Sequence, residues 1–257
     1  MSYAFAATCL QGSREFDLNS IFYSLRSTWG IRINADNEDY FEEPYLARFS
    51  IDDTLLLMKY VDHQVPQKEI MLKCAKAEYG DEFTKTAANH VSHVAVAAVT
   101  QGNPVSAAIS LAKITSCIMS EPFAIAVCTP GKIIEAGAYI HETLFLKEDY
   151  LPIYNFINVS LKEENGFVSA FTTGLKDFGK PELEIVDTSE DADAVEFRLY
   201  NIAYYVIDSD KELMDAETLT LQEQDEDGNT TNREFELKYD EGTNIKGKTV
   251  KIIDKVM

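Results

Sequence analysis

The chain is short of basic charge, of histidine, of closely spaced cysteine and of long apolar runs, and each shortage excludes a class of function. Lys and Arg number 23 against 43 Asp and Glu, a formal net charge of -20. Such a surface repels a phosphate backbone, and nucleic-acid binding needs a basic stripe. The C-terminal lysines Lys246, Lys248, Lys251 and Lys255 form no stripe, because they alternate with apolar and acidic residues. The apolar stretches fall far short of the ~20 residues that span a bilayer. The first residues have neither a basic region nor a long apolar one, so neither a membrane span nor a signal peptide is expected. The four cysteines, Cys9, Cys74, Cys117 and Cys128, show no CxxC spacing, and Cys9 and Cys128 close the apolar runs AFAATC and FAIAVC. Reduced, buried thiols and a cytoplasmic location are the expectation.

Catalytic and ligand-binding motifs are equally scarce. His90 and His93 are three residues apart at the start of a strand, where such a spacing points the side chains to opposite faces. No other ligand type stands at a suitable spacing, so no metal and no cofactor is expected. The segment Glu223 to Glu234 places acids at the first, third, fifth and twelfth positions of a calcium loop and Gly228 at the sixth. Its flanks alternate like strands, and Thr230 stands where that loop wants an apolar residue. A polar hairpin turned at Asp227-Gly228 is expected. CTPGKI around Lys132 lacks the first glycine and the hydroxyl residue of a phosphate loop, and GLKDFG lacks the GxGxxG order. There is no GxSxG elbow. An enzyme would have to assemble its site from scattered residues, with Cys128, His141, His90 and His93 the participants on offer.

What is present is a chain of 257 residues, 46% hydrophobic, with helical and strand periodicities mixed. That length allows one large domain or two packed subdomains. Tyr3 to Cys9 reads as a buried strand. Asp17 caps a helix from Leu18 to Trp29. Tyr45 to Ile51 and Thr54 to Val61 read as strands joined across Asp52-Asp53. Pro66 starts a helix that continues past Gly80 to about Ala88, and Val91 to Val99 is the next strand. The expectation is an α+β fold whose first half, residues 1–100, has the ferredoxin-like βαββαβ order. A connecting helix at 101–120 and a second α/β subdomain with an antiparallel sheet at 121–257 follow.

In that second half, Pro122 to Cys128 reads as a strand and Lys132 to Phe145 as largely helical. Asn155 to Glu163 and Gly166 to Thr173 are strands turned by Asn165-Gly166, the strongest short hairpin signal in the chain. Leu183 to Val186 is a short strand. Asp187 or Ser189 caps a helix from about Glu190 to Ile207, whose apolar stripe includes Val195, Leu199, Ile202, Ala203 and Val206. Strands at Thr218 to Gln222, Phe235 to Tyr239 and Thr249 to Val256 complete the chain.

The run from Gly166 to Ile207 contains a Thr-Gly-Leu turn (Thr173, Gly174, Leu175) and the sequence Phe-Gly-Lys-Pro-Glu-Leu-Glu (Phe178 to Glu184). Its helix ends in Asn201, Ala203, Tyr205 and Val206. With the strand-turn AIAVCTPGKII, this run resembles a bacterial family known as a domain of unknown function, DUF4261. The resemblance is specific from Ala124 to Ile207 and weak before residue 85, and the Glu223 to Glu234 loop looks particular to this chain. It implies no activity and no catalytic residues. Its members are similar in size and charge to immunity proteins encoded beside bacterial toxins, including those delivered by contact-dependent or type VI secretion.

Charge and that likeness of type lead to one functional expectation: a non-enzymatic protein that binds a basic protein partner, a cognate toxin in the most concrete form. One candidate surface is the acidic loop, Asp36, Glu38, Asp39, Glu42 and Glu43, with Tyr40, Phe41 and Tyr45 interleaved as aromatic anchors. The other is the helix start, Glu190, Asp191 and Asp193. A structural or regulatory role in a larger assembly is the third class, and it requires an exposed apolar patch.

Overall fold

The computed structural model describes residues 2–34, 36, 40–77, 79–224 and 230–255. The chain divides into two compact units, Met1–Phe156 and Ile157–Met257. The class is the expected α+β, with a seven-stranded and a six-stranded sheet.

The first unit runs β1 (Tyr3–Gln11), α1 (Leu18–Trp29), β2 (Phe41–Glu43), β3 (Leu46–Ile51), β4 (Thr54–Val61), α2 (Gln67–Lys76), α3 (Asp81–Ala88) and β5 (Ser92–Thr100). It continues with α4 (Pro104–Met119), β6 (Ala124–Cys128), β7 (Ile133–Glu135) and α5 (Ala136–Leu144). Its sheet order is β2-β3-β4-β5-β1-β6-β7, and every pairing is antiparallel. The chain order of the main elements follows the ferredoxin-like expectation, and in the sheet β5 stands between β4 and β1. Here β1 lies between β5 and β6.

That pairing also moves the expected boundary. Because β6 pairs with β1 through Cys9↔Val127 and Leu10↔Ala126, residues 124–156 belong to the first unit. The expected connecting helix is instead its central element. Asn103 caps α4 by accepting from the Val105 N–H at 2.9 Å, and Pro104 begins the first turn. Ala107, Ala108, Leu111, Ala112, Ile114 and Ile118 are all buried, and α4 lies against β1 and β5. The sheet side it covers is set by alternation: Phe5, Ala7 and Cys9 pair with Ala98, Val96 and Val94, and all six are buried. A second cluster, Leu10, Ile70, Cys74, Ala87, Ala126, Cys128 and Ile133, packs beneath α2 and α3.

Two expected helices are shorter than their patterns. The helix begun at Pro66 stops at Lys76, and a new one starts at Asp81 after an extended Gly80. Tyr79 pins the break: its ring meets Phe83 at 4.2 Å and its hydroxyl accepts from the Glu135 N–H at 3.2 Å. Asp81 and Glu82 then suit a fresh positive N-terminus. The helix expected from Lys132 begins at Ala136, because the β-branched pair Ile133-Ile134 forms β7 against Val127 and Cys128.

The second unit runs β8 (Asn158–Glu164), β9 (Phe167–Thr173), β10 (Glu182–Thr188), α6 (Ala192–Asp208), β11 (Thr218–Gln224), β12 (Thr230–Glu241) and β13 (Lys248–Asp254). Its sheet order is β11-β12-β13-β10-β9-β8, antiparallel except for the parallel pair β10–β13. The expected hairpin is present: Glu164 pairs with Phe167, while Asn165 (φ 55) and Gly166 (φ 82) both sit in the left-handed region. The long helix α6 packs on β8, β9 and β10 through Val195, Leu199, Ile202, Ala203 and Val206. Its cap is neither of the two residues expected. Asp191 accepts from the Asp193 and Ala194 N–H groups at 3.0 and 3.4 Å.

Asp187 has a different task. Ile185 pairs with Ala170 and Thr188 with Val168, so β10 spends one more residue than β9 over this interval. Asp187 takes up the excess with φ 53. Ser169 fixes it by donating its hydroxyl to the Asp187 carboxylate (3.1 Å) and accepting from the Asp187 N–H (3.0 Å). The result is a β-bulge, which bends and twists the strand that carries it.

Candidate protein-binding surfaces

The acidic loop ends in the sheet's outermost strand. Among the described residues β2 pairs only with β3, through Phe41↔Arg48, Glu42↔Ala47 and Glu43↔Leu46, so it is the outermost strand in the order of the first unit's sheet. Phe41, Glu42 and Glu43 are all exposed. Phe41 is 41% and Tyr45 61% exposed. Tyr45 is nevertheless held in place: its ring lies 5.6 Å from Tyr60, which stacks on Phe16 at 5.0 Å and donates its hydroxyl to the Arg14 carbonyl at 2.9 Å. Tyr40 donates to the Glu42 carboxylate, and that hydrogen bond, aided by desolvation, pushes the phenol up to about 12. Asp36 is exposed, its N–H donating to the Asn34 side chain at 3.0 Å. Glu38 and Asp39 lie outside the described residues. Among the described members the structure thus gathers Tyr40, Phe41, Glu42, Glu43 and Tyr45 at one sheet edge.

The second candidate cluster belongs to the other unit and divides by role. Asp191 and Asp193 are exposed in the first turn of α6, Asp191 as the cap. Glu190 turns inward to a bidentate pair with Arg198, at 2.9 and 2.7 Å, and also accepts from Arg233. Burial opposes its ionisation, but the hydrogen bonds and charges of Arg198 and Arg233 outweigh that and hold the carboxyl at about 2. Arg198 is itself buried, and both guanidinium groups flank the Phe235 ring at 5.0 and 5.2 Å. Arg233 also pairs with Asp254.

Two buried acids carry structure that the sequence reading missed. Glu182 accepts from the Thr172 hydroxyl (2.8 Å) and the N–H groups of Gly174, Leu175 and Lys176 (3.0 to 3.3 Å). It thereby caps a 3₁₀ turn over Leu175–Phe178. Glu184, 0% exposed, accepts from the Thr243 and Asn244 N–H groups, the Thr249 hydroxyl and Lys251. The sequence carries no signal of their burial: in Glu182-Leu183-Glu184-Ile185 alternation puts both acids on one side of a strand whose other side is apolar, the pattern of a half-exposed strand.

The scattered enzyme candidates sit apart in chemistry. Cys128 is buried and its thiol is pushed up to about 12; after burial, the groups acting on it are Lys73, Cys74 and Glu69, none of them histidine. His90 is fully buried, with Nδ1 2.8 Å from the Ala87 carbonyl and Nε2 accepting from the Val65 N–H at 2.8 Å. His93 lies with Nδ1 2.9 Å from the His63 carbonyl, its ring edge-on to His63 at 5.7 Å. His141 rests against Phe145. All four cysteines are unpaired and buried. Among the described residues, no group of three or more His, Cys, Asp or Glu is placed to hold a metal ion, and no helix is long and apolar enough to cross a membrane. The two ends of the calcium-like segment lie in the paired strands β11 and β12, as in Gln222↔Asn232 and Gln224↔Thr230, and its residues 225–229 lie outside the described ones.

The second unit is therefore a six-stranded mixed sheet under one long helix, fastened by buried acids. Residues 171–253 match the family model described as Domain of unknown function (DUF4261). The match runs from within β9 to Ile253: it includes the Glu223 to Glu234 segment and does not extend back over residues 124–170. No curated protein and no solved structure matches the chain.

Proposed function

We propose that the protein is a non-enzymatic cytoplasmic binding protein that captures a basic protein partner at the β2 edge, in its most concrete form the immunity partner of a toxin. The observation that carries this reading is the pattern at that edge: the exposed carboxylates of Glu42 and Glu43 stand between the exposed aromatics Phe41 and Tyr45 along the chain. Exposed aromatics supply the buried anchors of an interface, and the surrounding charge accelerates encounter with a cation-rich face. A net charge of -20 extends that steering beyond the contact itself. Four unpaired cysteines suit a reducing compartment.

The test begins with the product of the adjacent gene, co-expressed and assayed for complex formation and for relief of toxicity. Glu42→Lys together with Glu43→Lys should slow association about tenfold at low salt and flatten its salt dependence, with stability changed by no more than about 0.5 kcal/mol. Phe41→Ala should act on dissociation and cost about 2 kcal/mol of affinity. Unchanged kinetics in both variants would remove this edge from the interface, and absence of any complex or protection would end the immunity reading.

A further inference from the structure

The parallel ladder between β10 and β13 stops early. Pairing is confined to Glu182↔Thr249, Leu183↔Val250 and Glu184↔Lys251, although β10 continues to Thr188 and β13 to Asp254. The bulge at Asp187 bends β10 at this point, while β13 stays in register with β12 through Ile252, Ile253 and Asp254. A cavity of about 610 Å³ opens where the two strands part. Its walls include the consecutive residues Ile185 to Thr188 on one side and Lys251 to Asp254 on the other. Neighbouring residues of a strand point to opposite faces of the sheet. The part of the cavity bounded by these two runs therefore lies between the strands, as a slit along which β10 and β13 do not pair, and the rest reaches Lys238, Asp240 and Thr243 beyond β13.

We infer that this slit is the binding site of an extended peptide segment from a partner protein, which enters as an additional strand between β10 and β13. This inference is independent of the β2 edge. An extended backbone is the ligand whose N–H and C=O groups match two facing strand edges at once, the logic of strand addition. The wall lengths fit a segment of about four residues at about 3.3 Å each, and the volume lies in the range of about 300–1,000 Å³ typical of ligand sites. The two faces of the slit differ. On the α6 side, Ile252 and Phe235 are buried, and the ion network of Glu190, Arg198 and Arg233 closes the floor. On the other side, Phe167 and Ile253 stand 47% and 43% exposed at the rim. An inserted strand is thus asked for apolar side chains on the Phe167–Ile253 side, at every second residue, and for small or neutral ones above the ion network. The bulge that opens the slit is fixed by Ser169, so the opening is part of the folded unit and does not have to be made by the ligand.

The probe is a display library of random eight-residue peptides, selected on the full chain and counter-selected on an unrelated acidic protein, followed by synthesis of an enriched peptide. The expected peptide carries alternating apolar residues and slows hydrogen exchange at the amides of Val186 and Thr188 and of residues 252–254, the Asp187 N–H being already held by Ser169. Ile253→Asp should weaken its binding about tenfold or more. Phe167→Asp, on a different strand, should do the same, so that a folding defect in either variant leaves the test intact. Glu42→Lys with Glu43→Lys should leave peptide binding unchanged. Failure to enrich any peptide, protection at other amides, or indifference to both rim substitutions would overturn the proposal. So would protection of the same amides in the protein alone as its concentration rises, which would assign the slit to a second copy of the chain.

Discussion

At the scale of single residues, the unit matched by the family model is held by carboxylates that its sequence displays and its surface hides. Glu184 shows the argument most sharply. A carboxylate with no exposure is costly unless its lone pairs are filled, and here two backbone N–H groups, a threonine hydroxyl and a lysine fill them. These partners join β10 to β13 and to the chain at 243–244, so the acid fastens the strand pair just where its ladder ends. Glu184→Gln would turn one acceptor into a donor facing other donors and leave Lys251 without its ion pair. The expected cost is about 3 kcal/mol, the scale for breaking a buried pair from one side, measured as a fall in the denaturant midpoint with an unchanged slope. The apolar positions were legible in the sequence at this scale, because a buried leucine and an exposed one differ by the company they keep in a periodic pattern. The buried acids were not, since a glutamate in a chain with 43 acids looks like surface until its partners, distant in sequence, are seen.

At the scale of elements, local chemistry was a good guide wherever one residue settles the geometry. Asp17 caps α1 by accepting from the Asn19 N–H at 2.9 Å, and Asn103 with Pro104 opens α4. Asn165-Gly166 makes a two-residue turn because two successive left-handed residues match the twist of the flanking strands. Gly166→Ala should destabilise the second unit by about 1 kcal/mol. Nothing lies within 4 Å of the added Cβ, so the whole effect is conformational and should appear in thermal unfolding without any change in packing. Local chemistry misled where several residues compete for one role. Asp187, Ser189 and Asp191 all precede α6 and all suit a cap, and the choice is made by a contact from another strand: Ser169 engages Asp187 in the bulge and leaves the cap to Asp191. Asp191→Ala should therefore cost about 1 kcal/mol. Ser189→Ala, which removes neither the cap nor the bulge contact, should be nearly silent in the same denaturation series. The strand order of the first unit was illegible for a related reason. Alternation fixes which face of a strand is buried, but not which strand stands beside it.

At the scale of the whole molecule, acidity is unevenly distributed: the second unit carries 24 of the acidic residues against 11 basic ones. Such an excess of like charge opposes the compact state, so the paired carboxylates matter beyond their own contacts. Their titration gives a stability profile with a definite sign. In the first unit, burial holds His90 and His93 below the ordinary histidine value of 6.5. In the second, after opposing their own burial, the arginine partners hold Glu190 near 2 and the Lys251, Thr243, Thr249 and Asn244 contacts lower Glu184 from 4.5. In all four the folded value lies under the unfolded one, so the unfolded chain takes up the proton first as pH falls, and stability is lost. The loss begins as pH drops through about 6.5, from the histidines, and steepens below 4.5, where Glu184 and Glu190 contribute. Asp177 and Glu142, raised by burial, act in the opposite direction and soften the acid limb without reversing it. Urea unfolding repeated across pH should show a plateau near neutrality and a two-stage decline. Glu190→Gln should lower the plateau and flatten the second stage while leaving the first in place. If the decline instead began only below 4.5, burial would not be holding His90 and His93 below the ordinary histidine value in the folded chain.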